Sequence, residues 1–193
     1  MASITHVFSQ EQHGHLVPYI AALHASCITL DHMVGPFLPP LTNEKLLPWW
    51  KERLAEANNG TRIIVLLLPE LSLGKKPQGT DLRGLAMLKL SESETGSFRG
   101  HIDAVLVDRR HRRQGGAKAL VAALEMGALV FYDRQWLTAL DQLVDTETGS
   151  VAEAAFKKFG YIEIGKVPHF SRALPSGKKG ETFFYKEFLP SSS

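Results

Sequence analysis

The chain has 193 residues, 44% of them hydrophobic and 22% charged, with a formal net charge of +2. That length suits one domain with a real core and is short for two, and the composition is that of a globular chain rather than a disordered one. So small a basic excess gives no bulk-charge case for a nucleic-acid binder, the lone Cys27 excludes an intramolecular disulfide framework, and no apolar run approaches transmembrane length.

The residues from Met1 to His6 lack the apolar core of a signal peptide, so a cytoplasmic location is expected, with neither membrane nor nucleic acid as a partner. In chain order, a strand over 4–8 precedes a helix over 15–29. Cys27 lies in the apolar run 20–28, where a thiol usually serves as a small buried hydrophobe. His13 and His15 have no third ligand at a recognised spacing, so no metal is expected. Pro36, Pro39 and Pro40 stop any helix across 35–40, and Thr42-Asn43-Glu44 starts another that ends at Asn58-Asn59-Gly60. Residues 61–68 form a near-continuous apolar strand, followed by a polar loop, a strand over 83–90, a hairpin connection over 91–99 and a strand over 100–107. A helix over 114–133 leads through Arg134, Gln135 and Trp136 to a strand over 140–145. Gly149 or Ser150 opens a helix to Phe159, and strands over 161–167 and 182–188 complete the series, with Ser191, Ser192 and Ser193 as a disordered tail. Strands and helices alternating in this way point to an α/β sheet protein, and no internal repeat is present.

The junction at 107–118 carries most of the chemistry. An apolar strand, Ala104-Val105-Leu106-Val107, ends there, and a helix with Ala117, Leu120, Val121, Leu124 and Ala128 on one face begins. The start of a helix leaves backbone N–H groups unpaired at the positive end of its dipole, so it holds an anion without specialised side chains. Gly115 and Gly116 let the backbone turn and approach such a ligand, and Arg112, Arg113 and Lys118 add charge. Neither a G-x-G-x-x-G after this strand nor a P-loop anywhere is present; the nearest miss, Gly74 to Thr80, lacks the lysine.

The six residues Arg112-Arg113-Gln114-Gly115-Gly116-Ala117 resemble the acyl-coenzyme A loop of the GCN5-related N-acetyltransferases (GNAT), written Gln/Arg-x-x-Gly-x-Gly/Ala. The stretch 144–161, with Asp145-Thr146, Gly149-Ser150, Ala152-Glu153 and Phe159-Gly160-Tyr161, is similar to the strand, helix and turn that follow in that family, closest to its tabtoxin-resistance branch. The resemblance covers about 82–189. It implies an α/β (α+β) fold with a mixed, largely antiparallel sheet of six to seven strands, splayed between the fourth and fifth and flanked by about four helices. It further implies one domain over 1–193: a helical acceptor-side region over 1–60, central strands with the pyrophosphate loop and helix over 61–135, and a strand-helix-strand end over 136–189.

The implied cofactor is acetyl-coenzyme A, and the implied reaction is direct transfer of acetyl to the primary amine of a small molecule. The loop residues Arg112 to Ala117 with Lys118 would face the pyrophosphate, a backbone N–H of the strand ending Leu106-Val107 would serve the thioester carbonyl, Phe156 would pack on the pantetheine arm, and Thr146 and Ser150 would also bind the cofactor. A base is commonly a carboxylate near the start of the fourth strand, and here His101 stands there, with Asp103 on the same face by period-two alternation. A histidine suits a base near neutral pH and equally suits an exposed strand end. Asp145 borders the same opening, or else caps the turn before Ser150. Phe156 departs from the family, many of whose members carry a tyrosine there to protonate the thiolate; Tyr161, Tyr185 or water could substitute, or Phe156 packs on the pantetheine arm. Phe37, Trp49, Trp50 and Glu52 are candidates for the acceptor side, and aromatics so spaced are equally core residues; 168–173 could border the same pocket. The acceptor, and the choice between monomer and homodimer, stay open. The alternatives are a non-catalytic acyl-coenzyme A binding or sensing protein, an acetyltransferase of protein lysines or N-termini, and a nucleic-acid binder using Arg109, Arg110, Arg112 and Arg113.

Overall fold

In a computed structural model, residues 2–72, 74–133 and 140–188 are described. The connection through Arg134, Gln135 and Trp136 and the serine tail lie outside them. Seven strands form one sheet: β1 (Ser3–Val7), β2 (Arg62–Pro69), β3 (Gly84–Leu90), β4 (Arg99–Val107), β5 (Leu140–Glu147), β6 (Ile162–Ala173) and β7 (Gly177–Phe188). Their spatial order is β1-β2-β3-β4-β5-β7-β6, and every neighbouring pair is antiparallel except β4 and β5. The helices are the one-turn α1 (Gln10–His13), then α2 (Val17–Asp31), α3 (Asn43–Asn58), α4 (Gly116–Asp133) and α5 (Val151–Lys158).

The unbroken apolar run of β2 is explained by cover on both faces. Ile64, Leu66 and Leu68 pack with Leu16, Ile20 and Cys27 around α2 and with Trp50 and Leu54 of α3, while Val65 and Leu67 pack with Leu120, Val121 and Leu124 of α4. The helix expected over 15–29 is α2, shifted by two residues to Val17–Asp31, and it is preceded by the one-turn α1, which the sequence did not suggest. Ser9 caps α1 through its hydroxyl, and Pro18, which lacks an amide hydrogen, sits in the first turn of α2.

The last hairpin is longer than the sequence suggested. Pro168 cannot donate to a ladder, which ended the expected strand at 167, yet β6 continues to Ala173 across an irregularity between Val167 and Ser171, with His169 at φ 56°. β7 correspondingly begins at Gly177 rather than 182, which brings Glu181 into the sheet.

Two features of β4 shape the centre of the molecule. Leu88 pairs with Ile102 but Met87 pairs with Ala104, so Asp103 is an extra residue, a β-bulge. The bulge reverses the alternation: Ile102 joins the core under α4 and α5, whereas Ala104 packs on the core under α2 and α3. Beyond it, β4 leaves its parallel neighbour. Arg99–Ile102 is in register with Asp141–Val144, after which β4 runs on to Val107 and β5 to Glu147 without pairing.

Candidate active site

The parting of β4 and β5 opens a cleft of about 930 Å³. Its walls come from 102–105 of β4, 144–147 of β5, the start of α5, and residues of α2, α3, β6 and β7.

At the C-terminal end of β4, Asp108 accepts the Arg110 amide at 2.8 Å and starts a short turn. Arg113 and Gly115 then take positive φ values of 61° and 81°, and α4 begins at Gly116. A Cβ on Gly115 would meet nothing within 4 Å, whereas one on Gly116 would lie 2.7 Å from Leu67 Cδ2. The first turn of α4 is therefore seated directly on β2, while the residue before it faces open space. Arg113, Gln114 and Lys118 are exposed, Ala117 is half-buried, and Leu106 lies in the core beside the half-buried Val107.

Arg112 turns inward. Its Nε donates to the Val107 carbonyl at 2.9 Å and its two terminal nitrogens grip Asp31 at the end of α2, one of them at 3.1 Å; Arg109 adds a contact to Asp31 at 3.1 Å. These arginines tie the loop to α2; Arg113 and Lys118 are exposed, as is Arg110, which pairs with Asp108 at 3.0 Å.

The opposite end of the cleft is a chain of charged side chains. Arg62, buried at the start of β2, donates to Glu56 of α3 at 2.6 Å and to Asp103. His101 donates from Nδ1 to Asp103 and from Nε2 to Asp145, both at 2.8 Å. The bulge at Asp103 thus still allows the side-chain meeting that simple alternation suggested. Hydrogen bonds to Asp103 and Asp145 raise the His101 pKa to about 9, and both ring nitrogens are engaged. An imidazolium so held has no lone pair with which to accept a further proton. Against the cost of burial, bonds from His101 and the Arg62 guanidinium keep Asp103 below its ordinary range, and the His101 bond does the same for Asp145.

This cluster has a measurable signature. His101 is raised from 6.5 to about 9, so its contribution to stability is complete below pH 6.5 and is lost as pH rises through 9. Wild-type protein should show a decline in melting temperature across that window that His101→Asn lacks. Equal slopes for the two proteins would contradict the bonded arrangement.

Glu181 of β7 completes the chain and escaped sequence reasoning, because the last strand was expected to start one residue later. It is 3% exposed, its Oε1 accepts the Ser171 hydroxyl, and its Oε2 is buried without a donor. Burial, and then the neighbouring Asp145, push its pKa up to about 6. Arg62 was missed as well; a lone arginine opening an apolar strand carries no local signal of a partner 41 residues away.

The remaining candidates separate clearly. Ser150 is the N-cap of α5, its hydroxyl accepting the Glu153 amide at 3.1 Å, so Asp145 does not fill that role; Thr146 lies 3.5 Å from the Ser150 hydroxyl, and both border the cleft. Phe156 is buried, edge-on to Tyr161 at 5.2 Å and Phe159 at 6.0 Å, and forms part of the cleft wall. Tyr161 is buried and donates to Gln142 at 2.7 Å, and burial drives its pKa far up. Trp50 is wholly buried in the core; Trp49, about 100° round the helix, is the tryptophan that reaches the cleft, with Arg53 stacked over it at 5.0 Å. Phe37 packs edge-on against Trp49 at 5.5 Å, and Glu52 lies on the exposed face, paired with Arg53 at 2.7 Å. Cys27 is buried, and burial with the nearby Asp31 raises its thiol to about 11, so it is no nucleophile at neutral pH. His13 accepts the Ser9 amide at 3.0 Å, and His15 bonds the Pro77 carbonyl at 2.6 Å.

A family profile described as the acetyltransferase (GNAT) family matches residues 40–161, more than half of the chain. A sequence search of curated proteins finds no match. Among solved structures, a ribosomal-protein-alanine N-acetyltransferase from Brucella melitensis is similar with a TM-score of 0.69 at 14% identity, over 96% of this chain and 99% of that one. An N-acetyltransferase from Staphylococcus aureus Mu50 gives 0.66 at 13% identity, over 96% and 98%. A ribosomal L7/L12 α-N-protein acetyltransferase in complex with coenzyme A gives 0.70 at 11% identity, over 98% and 96%.

Proposed function

The chain belongs to the GNAT family of acetyltransferases, with acetyl-coenzyme A as its acyl donor, and we propose that it transfers acetyl directly to the primary amine of a small-molecule acceptor within one ternary complex. The observation that carries this reading is the wedge between β4 and β5, flanked by the open glycine turn before α4 at one end and by ionised side chains at the other. Bound there, acetyl-coenzyme A supplies a thioester, an acyl group already activated toward amines.

Each part of the wedge suits one part of that donor. The open space at Gly115, the first amides of α4, Arg113 and Lys118 suit a pyrophosphate. Backbone groups of β4 beyond Ile102 have no partner on β5, so they can pair with the amides of a pantetheine arm as a further strand would. An amide near Leu106 and Val107 can polarise the thioester carbonyl without any side chain. Phe156 gives this arm an apolar wall and offers no proton, and Tyr161 is committed to Gln142. The thiolate therefore leaves without acid help from either ring.

The acidic lining supports an amine acceptor, and the wording of 145–153 supports the tabtoxin-resistance branch. Release of coenzyme A from acetyl-coenzyme A, followed across a panel of primary amines, tests the function. Turnover with intersecting initial-rate lines is expected for direct transfer. Tight coenzyme A binding without turnover of any amine would leave only a binding role.

A further inference from the structure

Building on the acetyl transfer proposed above, we propose that Glu181 and Asp145 form a subsite for the acceptor's ammonium group, and that Glu181 removes the proton that frees the amine nitrogen to attack.

The sheet register places the pair. On β5, Glu147 stands opposite Glu181 of β7, and Asp145 lies two residues along on the same face. Other carboxylates lining the cleft have cations of their own. Asp31 is held by Arg109 and Arg112, Glu147 by Lys179 at 2.6 Å, and Asp103 by Arg62 and His101. Glu181 has the Ser171 hydroxyl on one oxygen and no cation on the other, which is buried within hydrogen-bonding reach of the Asp145 carboxylate, so the two acids share a proton unless a cation replaces it. Asp103, Asp145 and Glu181 bring three negative charges to the cluster against two positive ones on Arg62 and His101, while Glu56 is also matched by Arg53 at 3.0 Å. One positive charge is wanting at the buried oxygen. A buried carboxylate without a partner is costly, and the cost is relieved by a proton or by a cation from the cleft.

A protonated amine supplies that cation. Its ammonium hydrogens meet the buried Glu181 oxygen and the Asp145 carboxylate at the cleft wall, and one proton passes to Glu181, leaving a nitrogen lone pair. The nitrogen forms the new C–N bond as the C–S bond breaks; its second proton goes to the departing sulfur, its third stays on the amide, and Glu181 returns its proton to solvent. The groups facing Glu181 are Asp145 and Glu147 on β5, His101 on β4, Ser171 on β6 and Lys179 on β7, with His24 and Arg53 across the cleft. His101 is the positioning residue: locked between Asp103 and Asp145, it keeps Asp145 ionised and directed at the ammonium.

Glu181→Gln keeps the shape and removes the charge. With the amine that wild type turns over fastest, the variant should lose at least about a hundredfold in kcat/KM and lose the acidic limb of the pH profile near 6, with KM for acetyl-coenzyme A unchanged. Retention of that limb with activity within threefold of wild type overturns the proton-transfer role. A second arm needs no turnover: calorimetry of phenethylamine and phenethyl alcohol on the coenzyme A complex, an aromatic probe chosen because Trp49 and Phe170 line the cleft. Wild type should bind the amine at least tenfold better than the alcohol, and Glu181→Gln should abolish that preference. Equal binding of both by wild type, or a preference that survives the substitution, overturns the ammonium subsite. If no amine is turned over by wild type, acetyl transfer to amines falls, while this binding arm still decides the subsite.

Discussion

An aspartate in place of Gly115 should raise the dissociation constant of coenzyme A at least about a hundredfold, roughly 2.7 kcal/mol, while leaving the protein folded. The Gly115 carbonyl accepts the Ala119 amide at 3.0 Å, so Gly115 stands at the N-cap of α4, where a carboxylate satisfies free amides and favours the helix dipole. Those are the amides offered to the pyrophosphate, so a built-in anion competes with the ligand and repels it. A φ of 81° is tolerated by Asp and Asn better than by other side chains, and the space at this position is open. Gly115→Asn therefore separates charge from shape and should lose no more than about tenfold. Calorimetry with coenzyme A and melting curves with and without it are the measurements. Binding by Gly115→Asp within threefold of wild type would remove the loop from the phosphate site.

Trp50→Ala should lower stability by about 3–5 kcal/mol, the usual range for emptying a large aromatic site, or about 6–20 °C in melting temperature for a chain of this size. Trp50 is 0% exposed, edge-on to Trp49 at 5.0 Å and to His24 at 5.5 Å, within the core shared by α2, α3 and β2. Nothing of it is available to a ligand, so the variant's KM for the acceptor, measured well below its melting point, should match wild type. Trp49→Ala should do the reverse, with a smaller loss of stability and an altered acceptor KM, because Trp49 is half-buried and lines the cleft. A KM change in Trp50→Ala without a fall in melting temperature would show that this reading of α3 is inverted.

These contrasts mark what could be read from residues alone. The glycine turn and α4 were legible because a strand end, two glycines and an apolar helical face lie within one short stretch, and all of that information is local. His101 and Asp145 were legible as strand-end polar residues beside an opening. Their partners were not, since the bonds from Arg62 to Asp103 and the placement of Glu181 beside Asp145 depend on register between distant segments. Pro168 hid the second half of β6, and with it the reason that Glu181 belongs to the sheet. The aromatic pair on α3 shows the same limit: neighbouring tryptophans read alike in sequence, and only the direction of the core distinguishes the packed one from the accessible one.

The bulge at Asp103 lies next to the last residue of β4 that pairs with β5. One surplus residue throws the two halves of β4 out of phase and makes them serve different cores. Which core each side chain joins is thus set by an off-by-one in chain length. Exchanging side chains anywhere along the strand leaves that arithmetic alone, whereas excising a single residue would bring the strand back into step with its neighbours.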